Sequence, residues 1–203
     1  MSRRILDVSG LPTTCFGPRD PLWWSVILLI AIEGTMLALL AVSYAYVSDR
    51  TQPFPPVHMS RTLAWIATLD MLLWIASSYP QRRTSKAAVA RDLRGMRRNL
   101  VVATLIAIAA LVVRIYLMKH LPFRWDSHAY GSVVWGLLAV HFTHGLTGIG
   151  EDALYCVLLF VGPVEDKHRT DIEVSAPLIY FVAAGGVLIW ALVFLPVLVA
   201  GPT

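Results

Sequence analysis

The chain has 203 residues, of which 57% are hydrophobic and 15% charged, with a formal net charge of +4 and a mean hydropathy of +0.64. Soluble domains carry roughly 25% charged residues, so this composition excludes an ordinary water-soluble globule and reads as a membrane protein. Its apolar runs are continuous and about twice the ~10 residues of a barrel strand, which argues against a membrane β-barrel.

The expected fold class is therefore all-α, a polytopic membrane helical bundle with five transmembrane helices. Residues 1–22 form a polar leader holding Cys15. The apolar run that follows is longer than a signal-peptide core of ~7–15 residues and has no small-residue cleavage site before it, so it is expected to stay attached. That run, 23–48 (WWSVILLIAIEGTMLALLAVSYAYVS), is the first span, with Glu33 about ten residues in. The second covers 62–79 and has Asp70 near its middle; the third covers 99–118 and has Arg114 near one end. The fourth, 130–161, contains AVHFTHGLTGIGED, which places His141, His144, Glu151 and Asp152 inside an otherwise apolar stretch. The fifth covers 177–200. Each run reaches or approaches the ~20 residues needed to cross ~30 Å of hydrocarbon. Residues 23–200 thus read as one transmembrane domain.

Between the second and third spans lies RRTSKAAVARDLRGMRR, residues 82–98. Arg82, Arg83, Lys86, Arg91, Arg94, Arg97 and Arg98 stand there against Asp92 alone, while Val89, Leu93, Met96 and Leu100 recur at helical spacing. Residues 81–98 are accordingly expected to be a basic amphipathic loop on anionic headgroups, not a nucleic-acid site. Five spans put the leader and the loops 80–98 and 162–173 on one side. That side holds twelve Lys and Arg, against four (Arg50, Arg61, Lys119, Arg124) on the other. The positive-inside rule then places the N-terminus in the cytoplasm and the C-terminus outside. Cys15 and Cys156 would sit in a reducing environment and are expected to be unpaired.

Charged groups cost at least ~2.5–3.5 kcal/mol each at bilayer depth, so their placement is informative. Glu33, Asp70 and His144 all fall within a turn or two of the midplane and are expected to form one polar layer. His141 and His144, three residues apart, share a helix face, with Glu151 two turns beyond His144. The stripe Gly136, Ala139, Thr143, Thr147 and Gly150 is small enough to admit a second helix closely. Three uses stay open on these residues alone. HxxH with nearby carboxylates can bind a metal; Glu33, Asp70, His144 and Glu151 can relay protons; or the groups join helices, lipids and partner subunits without turnover, which is the bland reading and the larger share.

The spans also resemble subunit III of the heme-copper oxidases, the cytochrome c and quinol oxidase family. The resemblance runs from Pro122-Phe123 through Tyr130-Gly131-Ser132 to His141-x-x-His144 and Gly148, without a gap. Glu33 takes the place of the single buried glutamate of the family's helix, and DIEVSAP at 171–177 is similar to a segment whose glutamate would be Glu173. Ser77-Ser78 before a basic loop resembles the family's second shared span. The chain is similar to the shorter, five-helix form, without the two N-terminal helices that in the longer form complete a lipid cleft. It departs further at 179–183, where IYFVA replaces Trp-His-Phe-Val-Asp, and at Asp70, Glu151 and Asp152, where the family is usually apolar or small.

The resemblance implies a non-catalytic subunit of a heme-copper terminal oxidase in the bacterial inner (plasma) membrane, with no metal and no cofactor in this chain. Heme and copper would lie in partner subunits I and II. This chain would pack on subunit I, bind phospholipid and support proton uptake in respiratory electron transport. In agreement, the chain lacks C-x-x-C-H and has too few intramembrane histidines for a two-heme, one-copper site. The alternatives are a stand-alone intramembrane transporter or metal-binding protein, and an accessory protein of nitric oxide reductase.

Overall fold

A computed structural model describes residues 21–162 and 166–200; most of the leader, with Cys15, lies outside them. The elements are α1 (Pro21–Arg50), α2 (Arg61–Val89), α3 (Leu93–Lys119), α4 (Ala129–Val161), α5 (Asp166–Ile189), a π-helical turn (Trp190–Phe194) and α6 (Leu195–Val199). No strand occurs among the described residues. Five helices are long and apolar enough to cross a membrane, the fifth formed by α5 running through the π turn into α6. The expected all-α, five-span architecture is what the chain adopts.

The fifth helix starts at Asp166, eleven residues before the expected 177, and the basic segment also differs from expectation. It is not a loop, because α2 continues ten residues past the expected end at 79 and α3 starts at Leu93. The reversal is confined to 90–92. Arg91 N–H donates to Ala88 O and Asp92 N–H to Ala87 O, the paired bonds of a Schellman stop. Arg91 takes the left-handed φ of 58° that this stop requires, a conformation in which a non-glycine residue is strained. Asp92 then caps α3 by accepting from Gly95 N–H at 3.0 Å. Met96 and Leu100, expected on a lipid-facing stripe, are fully buried between helices, while Val89 is 66% exposed.

α2 and α3 form the most extensively packed pair, and α5 packs on α2 from the other side. α1 is attached more lightly, burying only Leu37 and Tyr44. Those two contacts are specific. Leu37 seats where Gly185 of α5 has no side chain, since a Cβ there would lie 3.1 Å from Leu37 Cδ2. Tyr44 O–H donates to Leu192 O at 2.9 Å.

Prolines explain that bond and a second one. Pro196 has no N–H for the carbonyl four residues earlier, Leu192 O, and Pro177 likewise frees Glu173 O. In hydrocarbon a bare carbonyl is costly, so a neighbouring helix must answer it. Tyr44 answers the first, and Ser85 Oγ–H answers the second at 3.2 Å. Both are tertiary bonds to α5 and its continuation, one from α1 and one from α2.

Two ends of the bundle follow from this packing. The basic end gathers 82–98 with the close of α4, where Arg97 Nε–H donates to Leu159 O. At the far end Phe54, between α1 and α2, meets Tyr44 and Tyr130 edge-on at 5.8 and 5.5 Å between ring centres. The outside is apolar along its length, with Leu28, Ile32, Leu39, Leu105 and Leu154 all more than 60% exposed.

Candidate functional site: a buried polar column

The histidine pair does not act as a unit. His144 Nε2–H donates to Glu33 Oε2 at 2.7 Å, tying α4 to α1, with the Phe181 ring 5.2 Å from the imidazole. Glu33 keeps 27% side-chain exposure, so this contact lies near the outer surface of the bundle. His141 turns inward and is 1% exposed. Its Nε2 lies 2.9 Å from Val182 O. A carbonyl can only accept, so the proton is on Nε2.

The ring of His141 meets Trp74 of α2 edge-to-face at 5.7 Å. Three glycines make room for this pair. A Cβ on Gly185 or Gly186 would come within 3.3 or 3.2 Å of His141, and one on Gly145 would come within 2.7 Å of Trp74. The two imidazoles thus serve different helices instead of converging on one ion, and no group of three or more His, Cys, Asp or Glu side chains is placed to hold a metal among the described residues.

Asp70 pairs with neither Glu33 nor His144. It forms a buried ion pair with Arg114 Nη2 of α3, with side-chain exposures of 2% and 3%. Bringing either charge alone into this environment would cost several kcal/mol, so each depends on the other. Arg114 Nε and Nη1 and Asp70 Oδ1 have no hydrogen-bond partner among the described residues.

A third cluster lies nearer the basic end. Gln81 Nε2 donates to Asp152 Oδ1 at 3.1 Å and to Ser175 Oγ at 2.9 Å, joining α2, α4 and α5. Ser175 O–H passes on to Ile172 O. Asp152 is 1% exposed and Gln81 0%. Glu151 points elsewhere and accepts from Tyr155 O–H one turn on, at 3.0 Å. The acid that continues the inward face of His141 and His144 is therefore Asp152, not Glu151. The expected small stripe also turns out differently: Thr143, Thr147 and Gly150 are exposed, and nothing lies within 4 Å of a Cβ at Gly150. Within that stripe Leu40 of α1 approaches Gly136, where a Cβ would lie 3.2 Å from its Cδ2; closer approaches occur at Gly145 and Gly148 on the buried side.

Together these groups form a column along one face of α2. Asp70, Trp74, Ser77, Gln81 and Thr84 recur at spacings of four and three and are all buried, which keeps them on one side of a helix. At about 1.5 Å per residue the column is about 21 Å long. Arg114, His141, Asp152 and Ser175 meet it from the other helices. Gln81, Ser175, Trp74 and Arg114 as the partner of Asp70 were not legible as site residues from span-by-span reading, because closing the second span at 79 put Gln81 in a loop. The spacing from Asp70 to Thr84 was the available signal.

Replacing Gln81 by Leu should lower stability by about 1–3 kcal/mol, because it strips Asp152 of its donor inside the bundle. Denaturant-induced unfolding in detergent measures this; an unchanged midpoint would mean that the carboxylate reaches water.

The remaining expected residues lie on the periphery. Glu173 is exposed on α5. Arg82 and Lys86 are exposed, Arg83 stacks over Tyr79 at 4.8 Å, and Arg97 lies over Phe160 at 5.2 Å. Cys156 is unpaired, with its sulfur 3.8 Å from Thr104 Oγ1.

Neither a family model nor a curated protein sequence matches the chain. What the geometry defines is a class: an all-α protein with five helices able to span a membrane, joined by a buried polar column.

Proposed function

We propose that this chain is a non-catalytic, subunit III-like component of a heme-copper terminal oxidase in a bacterial inner membrane. In this reading it packs on subunit I, binds phospholipid and supports proton uptake, while heme and copper reside in subunits I and II. The observation that carries the reading is the Glu33–His144 contact at 2.7 Å. The resemblance singled out these two positions separately, 111 residues apart, and they meet across α1 and α4. The lightly attached α1, with its apolar outer face, also suits a chain that completes its packing against another subunit.

Gentle purification from native membranes, with a reduced-minus-oxidised spectrum and an inventory of chains, tests this. Heme co-purifying at near-stoichiometric level with two further subunits is the expected result. A chain that purifies alone and colourless would overturn it. Within such a complex, Glu33→Gln is expected to weaken subunit association or lipid retention, read as chain loss on gel filtration, while the heme bands stay unchanged. Their outright disappearance would exclude a supporting role.

The polar column favours a second reading, a stand-alone transporter, since ionisable groups inside a bundle commonly mark ion or proton paths. Proton leak into liposomes holding only this chain, abolished by Asp152→Asn, would select it over the first. A place beside nitric oxide reductase would show in the same chain inventory.

A further inference from the structure

At the basic end lies an open, shallow cleft of about 600 Å³ on α3, lined by Arg94, Arg97, Arg98, Val101 and Val102 and bordered by Phe160 of α4. We infer that this cleft holds one anionic phospholipid, its phosphate among the three guanidinium groups and one acyl chain along α3. The inference rests on the membrane placement of the bundle and not on the oxidase assignment.

Three features distinguish the cleft from a merely basic surface. First, Arg97 is already oriented. Its Nε–H donates to Leu159 O at 2.8 Å and its plane lies over Phe160, so its two terminal nitrogens remain for a planar, bidentate contact with phosphate. Second, Arg94 and Arg98 are exposed and make no ion pair or hydrogen bond among the described residues. Like charges gathered on one helix face repel one another, and an anion between them relieves that repulsion.

Third, an apolar track continues from the charges in the one direction that a lipid tail would take. Val102, Leu105 and Val112 follow Arg94 and Arg98 on one face of α3 and are 43%, 61% and 60% exposed. From Arg98 to Val112 the helix rises about 21 Å, enough to cover one leaflet of a hydrocarbon core ~30 Å thick. A free phosphate would use the arginines alone; a lipid uses the arginines and the track together.

Native mass spectrometry of the full chain, purified in mild detergent and titrated with phosphatidylglycerol or phosphatidylcholine, tests the inference. One phosphatidylglycerol should stay bound per chain, with phosphatidylcholine not retained. Each guanidinium near an anionic lipid is worth about fivefold, so Arg94→Gln with Arg98→Gln should weaken retention about 25-fold. Arg82→Gln with Arg83→Gln, on α2 away from the cleft, should leave it unchanged. Val102→Trp, which fills the track without altering charge, should also lower retention. Equal losses from both arginine pairs would reduce the effect to diffuse attraction and overturn the site, as would equal retention of the two lipids or of neither. Inorganic phosphate displacing the lipid at millimolar concentration would overturn the role of the track. None of these outcomes depends on heme content, so this inference and the oxidase assignment fail separately.

Discussion

Arg114→Leu is expected to lower the stability of the bundle by about 3–5 kcal/mol, because it leaves Asp70 as an unpaired buried charge. Both side chains are almost wholly enclosed, at 2% and 3% exposure, and no other cation forms an ion pair with Asp70 among the described residues. Asp70→Leu alone should cost a similar amount by stranding the guanidinium. The double variant, with Asp70→Leu and Arg114→Leu together, should recover much of the loss, since a well-packed apolar pair often equals or exceeds a buried ion pair. Denaturant titration in mixed detergent micelles gives all three values. Single variants that shift the midpoint by less than about 1 kcal/mol would show that the pair is hydrated and contributes little.

The second large effect belongs to a glycine. Gly145→Val should destabilise by about 3 kcal/mol, as overpacking does where neighbours cannot yield. A Cβ at 145 would stand 2.7 Å from Trp74 Cζ2 and Cη2, and Trp74, with 0% exposure, is held edge-on against His141. Gly150→Val on the same helix is the control, since no atom lies within 4 Å of its Cβ position; it should stay within about 0.5 kcal/mol of the parent. Equal effects at the two positions would mean that the cost does not come from the Trp74–His141 contact, since valine favours a helix over glycine at both.

Gly145 also shows why helix faces were harder to assign than helices. On α4 the small residues fall on two faces: Gly136, Ala139, Thr143, Thr147 and Gly150 on one, and Gly145 and Gly148 on another. Both accept a neighbour, Leu40 at Gly136 and Trp74 at Gly145, and composition does not say which side is buried more deeply. The choice is made by Trp74, a bulky side chain from a helix about 70 residues earlier that needs a gap at 145. Once that side is buried, His141, His144 and Asp152 turn inward with it, and Glu151 is carried round to Tyr155. The same limit applied to the acids. Glu151 was grouped with His144 by its sevenfold spacing, but the buried carboxylate is the one that meets Gln81, and Gln81 belongs to another helix.

Charge placement behaves alike. That Asp70 and Arg114 lie inside spans can be read from their apolar flanks. That they answer each other, while Glu33 answers His144, depends on which helices are neighbours. The expected single polar layer is therefore resolved into separate contacts, Glu33 with His144 and Asp70 with Arg114.

What the sequence by itself determined is the all-α class, the number of long helices and the approximate limits of α1 and α4. Hydropathy is a local property of each segment, and backbone polar groups within a long apolar run have no partner other than their own helix. The tertiary structure decided the pairing of Asp70 with Arg114, the Gln81–Asp152–Ser175 junction, the burial of Met96 and Leu100, and the rotation of α4. These are contacts between residues distant in the chain. They are selected by the fit of a few large side chains against glycines on other helices, a relation that no single segment contains.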